Sequence, residues 1–454
     1  MPDASLPTHE DIFDLSARVI DERITSVKVN RVTLELSELG DGLALVEAFS
    51  HVYAVATNDG LVCFDTSARR AGPAVVAALR TWNTQSFSTL VYTHGHVDHV
   101  GGSGAFAADA VDRGEAAPSV VGHARVGARF DRYRLTNGYN AQINARQFGG
   151  RPQDDFLDPS VLAPTRVVDA LSDLTVGSQR FALHHALGET DDHLWTWDPG
   201  RRAIFSGDLM TWTFPNAGNP QKVQRYPAEW AMALREMAAL EPEMLLPAHG
   251  LPIAGRERIR FVLTTVATAL EQLVAAVIER MNAGVALDVI VHEVNVPAEM
   301  LALPFLRASY DEPEFVVRNI WRLYGGWWGG DVDRLKPSPT AVLARELAVL
   351  AGGSLALATR AEDLAGEARS AVDRHVADDR WRLASHLIEL AAESVDVEGD
   401  EFRRVHEIRA DVYAGRRQHE QSLMARGVFA LASDESTSAL TGASKWARRA
   451  VLDM

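Results

Sequence analysis

Thr93-His94-Gly95-His96-Val97-Asp98-His99-Val100-Gly101-Gly102 is the stretch on which the fold turns, because it sets four potential metal ligands within six residues. Neutral imidazole and carboxylate suit zinc and its neighbours, and a donor set that leaves coordination positions open can activate water. One ion does not need so many donors from one loop. His94 and His96, two apart in an extended segment, project the same way and can share an ion, whereas Asp98 and His99 follow in a turn and can serve a second. Leu90-Val91-Tyr92 reads as a buried strand ahead of the motif, and Gly101-Gly102 permits a close turn into a helix behind it. The ligands are thus expected on a loop at a strand end. The plainer alternative is a histidine-rich surface loop, but random loops rarely set this spacing between a strand and a glycine pair.

Outward from the motif, the first half alternates short apolar strands with turns: Leu43 to Val46, His51 to Ala56, an Asn58-Asp59-Gly60 turn, then Leu61 to Phe64. Pro73 to Arg80 reads as a helix leading into the motif strand, and further strands are expected at Ser119 to Val121, Arg180 to His184, Leu194 to Trp197 and Ala203 to Phe205. This pattern fits an α/β fold, an αββα sandwich. From about Arg256 apolar residues recur at helical spacing, over Ile259 to Met281, Thr340 to Leu350, Leu355 to His375, Trp381 to Ala392 and Phe402 to Tyr413. The reading therefore divides the chain into a hydrolase-like domain, 1-255, and a mostly helical domain, 256-454.

With 454 residues, 47% of them apolar, the chain has ample material for more than one core. Its net charge of −16 and the lack of a long basic stripe argue against nucleic acid as a partner, yet divalent cations would invert the local field for an anionic substrate. Cys63 is the single cysteine and sits in the strand-like Gly60-Leu61-Val62-Cys63-Phe64-Asp65, so it reads as core. Met1 to Glu10 shows no basic region followed by an apolar stretch, and no later segment is expected to approach a membrane span. A cytoplasmic protein without a membrane partner is expected.

The motif resembles, residue for residue, the His-x-His-x-Asp-His signature of the metallo-β-lactamase superfamily. The resemblance implies that further ligands come from later strand ends. Phe205-Ser206-Gly207-Asp208 matches one such motif, with Asp208 as the carboxylate bridging two metals, and Leu245-Leu246-Pro247-Ala248-His249-Gly250 matches the last, with His249 as ligand. Between them the superfamily usually shows a histidine after a glycine. Here Ala186-Leu187-Gly188-Glu189-Thr190-Asp191-Asp192-His193 places Glu189 there, with His193 as the alternative ligand and Glu189 then a supporting acid.

A glutamate at this point, followed nineteen residues later by another carboxylate, resembles the alkylsulfatases, the zinc-dependent sulfatases of the superfamily. Their helical dimerisation domain ends a helix in Tyr-x-Gly-Trp, as the run from Pro313 to Trp328 does here. The resemblance implies two zinc ions (Zn2+) held by His94, His96, Asp98, His99, Glu189, Asp208 and His249, with Asp98 and Asp208 catalytic, and a homodimer. It also implies hydrolysis of alkyl sulfate esters to alcohol and inorganic sulfate by water held between the metals. Three departures are legible: the family commonly has glutamate where Asp208 stands, its sulfate-gripping arginine segment is not recognisable, and its C-terminal sterol-carrier-like domain has no room.

Tyr139 and Asn140 resemble the family's sulfate-contacting region, and Asn216, Asn219, Lys222, Arg225 and Tyr226 fall where a loop over the metals is expected. Lys222 or Arg225 suits an anionic group, bidentately in the arginine case. Trp212, Phe214 and Trp230 are candidates for a wall against an alkyl chain, while His123, His184 and His185 read as structural. Two other classes stay open at this point: another hydrolase of the same fold acting on a thioester, lactone or phosphoester, and a non-catalytic scaffold, against which the complete ligand set argues.

Overall fold

A computed structural model describes residues 11–152, 154–396 and 399–442. Among these described residues thirteen strands form two sheets: β1 (Leu36–Gly40), β2 (Leu43–Val46), β3 (Val52–Thr57), β4 (Gly60–Phe64), β5 (Phe87–Val91), β6 (Ser119–His123) and β7 (Arg166–Val168) in one, and β8 (Ser172–Val176), β9 (Gln179–Ala186), β10 (His193–Asp198), β11 (Ala203–Gly207), β12 (Met244–Pro247) and β13 (Ile253–Ala254) in the other. The first sheet runs in chain order, antiparallel through β4 and parallel from β4 to β7. The second is antiparallel except for the parallel β11–β12 pair.

Alternation of side chains along β3 and β4 explains the layering. Tyr53, Val55, Val62 and Phe64 point into the core between the sheets, whereas Val52, Ala54, Leu61 and Cys63 join a second core beneath the Gly72–Trp82 and Arg125–Leu135 helices, with Val75, Leu79, Val126 and Phe130. Both faces of the first sheet are therefore buried, which is why its strands read as continuous apolar runs. Phe64 and Phe205 stack across the inter-sheet core with centroids 3.7 Å apart, and Tyr53 meets Phe205 edge-on at 5.8 Å. This clamp fixes the end of β11 two residues before Gly207-Asp208.

Among the described residues the chain packs as two compact units, one running to Asn137 and resuming over Asp155–Gly326, the other made of Gly138–Asp154 and the chain from Trp327 onward. The change from strand to helix periodicity at 255/256 is real, but packing divides the chain later. The Arg256–Asn282 helix buries Ile259, Val262, Leu263, Val266, Leu270, Leu273 and Val277 in the same core as the sheets, and the Pro313–Gly325 helix adds Val316, Val317 and Ile320. Against the sequence expectation, Arg256–Asn282 is long and apolar enough to cross a membrane, and its apolar residues face that core. The second unit has its own core, in which Leu357, Ala361 and Leu364 meet Trp381, Ile388, Ile408 and Val412 from successive helices. The expected single helix Leu355 to His375 is in fact two: Ser354–Ser370 ends, and Asp373 caps Arg374–Ser394 by accepting from the amides of His375 and Val376.

Replacing Phe205 by alanine is expected to cost about 3 to 5 kcal/mol, because the site lies between two packed sheets that cannot collapse into the cavity. Urea unfolding followed by tryptophan fluorescence checks this, and a loss under about 1 kcal/mol would place Phe205 outside the central clamp.

Candidate metal centre

Four strand ends bring the site together. The loop after β5 supplies His94 and His96, the one-turn helix Val97–Val100 supplies Asp98 and His99, and Glu189, Asp208 and His249 follow β9, β11 and β12. Gly102 makes the first turn possible, since a Cβ there would stand 2.0 Å from the Thr66 carbonyl oxygen. Gly207 has φ 53° and lies so close to His193 and Thr93 that a Cβ would stand 2.7 Å from each.

The seven residues expected as ligands fall into two groups: His94, His96, Glu189 and Asp208 in one, Asp98, His99 and His249 in the other, with the donor atoms of each group within 4.8 Å of one another. Asp208 belongs to both by geometry. Its Oδ2 lies 3.8 Å from His94 Nε2, while its Oδ1 lies 3.3 Å from His99 Nε2 and 3.5 Å from His249 Nε2. Asp98 Oδ2 is 3.6 Å from His99 Nε2 and 3.4 Å from His249 Nε2. The site fits a metal on its own chemistry: His99 Nε2 and Asp208 Oδ1, 3.3 Å apart, are buried with no hydrogen bond of good geometry.

What aims these donors is a layer of hydrogen bonds behind them. His99 Nδ1 is held 2.7 Å from Asp65 Oδ2, and Asp65 also accepts from the Thr93 amide and hydroxyl, both at 2.8 Å. His249 Nδ1 donates to the Phe49 carbonyl at 2.7 Å. The Gly95 amide between the first two histidines donates to Asp192 Oδ2 at 3.0 Å, and Arg129 Nε holds the same oxygen at 2.8 Å. Burial keeps His94 and His96 well below the usual imidazole range, so both are neutral donors. Against burial, which would raise it, His99 and His249 hold Asp208 well below the usual carboxylate range.

Of the two third-motif alternatives, Glu189 joins the donors and His193 does not. His193 Nε2 accepts the Asp208 amide at 3.1 Å, and its ring stacks on His94 with centroids 4.9 Å apart. It supports both neighbours from behind. Arg225, expected to bind an anionic group of the substrate, is buried, and its NH1 lies 2.6 Å from Glu189 Oε1 and 2.8 Å from the Glu189 carbonyl. Asn216 Nδ2 donates to the same Oε1. Lys222 stands in the same loop with its ammonium 5.9 Å from the Phe156 ring centre, and burial, with Arg225 nearby, brings it down to about 8. Asn219 is buried and Tyr226 half-buried, its amide donating to Gly188 O at 3.0 Å.

Tyr139 and Asn140 lie on the Asn137–Phe148 helix in the second unit, Tyr139 exposed and Asn140 buried. Trp212, Phe214 and Trp230 do not form a wall: all three are core, with the Trp212 and Trp230 indoles donating to the carbonyls of Leu251 and Leu209. His123 and His185 stack on each other, and His184 stacks on Trp195, as structural residues would. Sequence reasoning missed Asp65, Arg129 and Asp192 as supports. An acid directly after the apolar run Leu61 to Phe64 was the available signal for Asp65.

Residues 46–249 match the model of the metallo-beta-lactamase superfamily, and residues 287–438 match that of alkyl sulfatase dimerisation. Residues 46–249 are thus similar to the metallo-beta-lactamase superfamily. Two curated relatives are a linear primary-alkylsulfatase from Pseudomonas sp., 28% identical over 313 residues that make up 65% of this chain and 59% of the relative, and an (R)-specific secondary-alkylsulfatase from Pseudomonas sp., 23% identical over 425 residues, 83% of this chain and 61% of the relative. Among solved structures, the stereoselective inverting sec-alkylsulfatase Pisa1 from Pseudomonas sp. superposes with a TM-score of 0.74 at 19% identity, covering 90% of this chain and 66% of that one. The chain spans about three-fifths of the length of the curated relatives it matches.

Asp65→Ala should lower affinity for a divalent metal about 10- to 100-fold, because His99 then loses the carboxylate that fixes its tautomer and aim. Competition against a chromophoric chelator measures it, and unchanged affinity would show that Asp65 does not orient His99.

Proposed function

We propose that this chain is a zinc-dependent hydrolase that cleaves alkyl sulfate esters to alcohol and inorganic sulfate at a dinuclear site. One observation carries the reading: seven donors from four strand ends converge in two groups that face opposite oxygens of a single buried carboxylate, Asp208. The alkylsulfatase relatives support the sulfate ester as substrate class. His94, His96, Glu189 and Asp208 would hold one ion, and Asp98, His99 and His249, with Asp208, the other. Bound there, divalent zinc supplies Lewis acidity and lowers the pKa of water.

The chain's own residues do the rest. Asp98, whose side chain is 28% exposed, is the most open of the second group's donors and is the group we assign to hold a proton of the attacking water. Lys222 brings a cation into the loop after β11, where the Glu189 and Asp98 carboxylates act on its charge, and it is the group we assign to the ester's sulfate oxygens. Arg225 NH1 is paired with Glu189, so we leave Arg225 out of that grip. A homodimer completes the proposal. The match to the dimerisation model supports it, and so does the apolar surface of the second unit, where Trp327, Val332, Val349 and Leu350 are 72%, 83%, 77% and 82% exposed.

Zinc-loaded protein is expected to release inorganic sulfate from a medium-chain alkyl sulfate, and Asp208→Ala to abolish release. No release with both metals present would reassign the site to another ester. Lys222→Met should lower kcat/KM for the alkyl sulfate about 10- to 100-fold, as expected for losing one hydrogen bond to a charged group. An unchanged kcat/KM would take the sulfate grip away from Lys222. Light scattering is expected to give twice the chain mass, and a monomer would sink the dimer.

A further inference from the structure

Glu189 is held on its outer side by more than its position in the loop. Its Oε1 receives Arg225 NH1 at 2.6 Å and Asn216 Nδ2, and the same guanidinium nitrogen donates to the Glu189 carbonyl at 2.8 Å. Only Oε2 is left to face His96 Nδ1 at 3.8 Å and His94 Nε2 at 4.0 Å. Glu189, Arg225 and Asn216 are 4%, 2% and 8% exposed, so the pair is shielded from solvent screening.

Arg225 is itself anchored from outside the sheets. Its carbonyl accepts from Asn319 Nδ2 at 2.9 Å, and Gln224 Nε2 bridges that carbonyl and Asn319 Oδ1 at 2.9 and 3.0 Å. Earlier in the same loop the Gly218 amide donates to the buried Asp311 at 2.6 Å. Gly218 also packs so closely on the backbone of Phe315 and Val316 that a Cβ would stand 2.2 Å away. The loop carrying the clamp is therefore fixed to the Pro313–Gly325 helix.

We propose that Arg225 is a positioning residue that, with Asn216, makes Glu189 a one-oxygen, charge-compensated donor to the first metal, and that Asn319 sets where Arg225 stands. The first group contains two carboxylates, Glu189 and Asp208, beside Asp98 of the second. Without Arg225 an uncompensated carboxylate would be buried among them, and Glu189 Oε1 would be free to turn inward. With Arg225, the Glu189 side chain presents one oxygen and the pair has no net charge, as a neutral imidazole would. The inference rests on the metal reading given above and concerns only the ion held by His94, His96, Glu189 and Asp208.

The test is cobalt(II) titration of the full chain, read by the visible ligand-field spectrum and by bound metal after gel filtration, for wild type, Arg225→Met, Glu189→Gln and the double variant, with circular dichroism confirming the fold of each. Wild type should bind two ions. Arg225→Met should lose about 10- to 100-fold in affinity for one ion while the other is unchanged. In the Glu189→Gln background the Arg225 change should add little, because the residue acts through that carboxylate. Arg225→Lys, which keeps the charge without the fork, should recover part of the loss. Two ions bound by Arg225→Met with wild-type affinities, or a loss of the same size in the Glu189→Gln background, would overturn the role of Arg225. A wild type that takes up no cobalt would instead overturn the metal reading itself. Should Arg225→Met fail to fold, Asn216→Ala and Asn319→Ala carry the same test, and both binding two ions as wild type does would overturn the proposal.

Discussion

Asp208 is a buried carboxylate with one oxygen facing each of two imidazole-rich groups, and the surrounding structure is organised by what that burial demands. A carboxylate taken out of water is strongly disfavoured unless cations or hydrogen-bond donors replace its hydration. Here Oδ1 makes no hydrogen bond of good geometry, while His94, His99 and His249 surround the side chain at 3.3 to 3.8 Å. The two-sheet scaffold exists, in this sense, to hold four strand ends around one point. The Phe64–Phe205 stack fixes the end of β11, and Gly207 lets the chain pass against His193 to deliver the carboxylate.

Several of the donors are aimed by a hydrogen bond on the far side, and these supports come from different parts of the chain. Asp65 stands behind His99, the Phe49 carbonyl behind His249, Asp192 behind the Gly95 amide and Arg225 behind Glu189. Two of the supports are buried ion pairs, Arg129–Asp192 and Arg225–Glu189. Buried pairs contribute little net stability, but breaking one leaves a charge with no compensation, so they fix geometry more than they fix the fold. The rigid site that results lies partly under a loop held by the Pro313–Gly325 helix. That helix falls within the region matched by the dimerisation model, yet it packs into the core of the first unit.

The clustered candidate donors were legible because metal chemistry restricts such residues to a few side-chain types, here at strand ends. His94-x-His96-x-Asp98-His99 could be read locally, and Asp208 and His249 could be read from a short apolar run ending in glycine and acid or in histidine and glycine. The choice between Glu189 and His193 could not be made from spacing. Glu189 lies four residues before His193, the first residue of β10, so both are near enough, and only the path of the chain shows His193 Nε2 spent on the Asp208 amide. The pairing of Arg225 was illegible for a similar reason. A cation in a loop after Asp208 suits an anionic substrate or an anionic side chain equally, and only the fold shows it buried beside Glu189.

Sequence alone determined the sandwich, the helical second half and the seven donors, because each is encoded by periodicity or by residue type over a few consecutive positions. Tertiary structure decided what depends on contacts between distant segments. Packing, not periodicity, carried the first unit on to Gly326, since a helical pattern does not say which core its apolar face will enter. It also put Trp212, Phe214 and Trp230 in that core instead of on a substrate wall, and assigned Asp65, Arg129, Asp192 and Arg225 their partners. A side chain's chemistry is local, but the partner that satisfies it when buried is chosen by the fold.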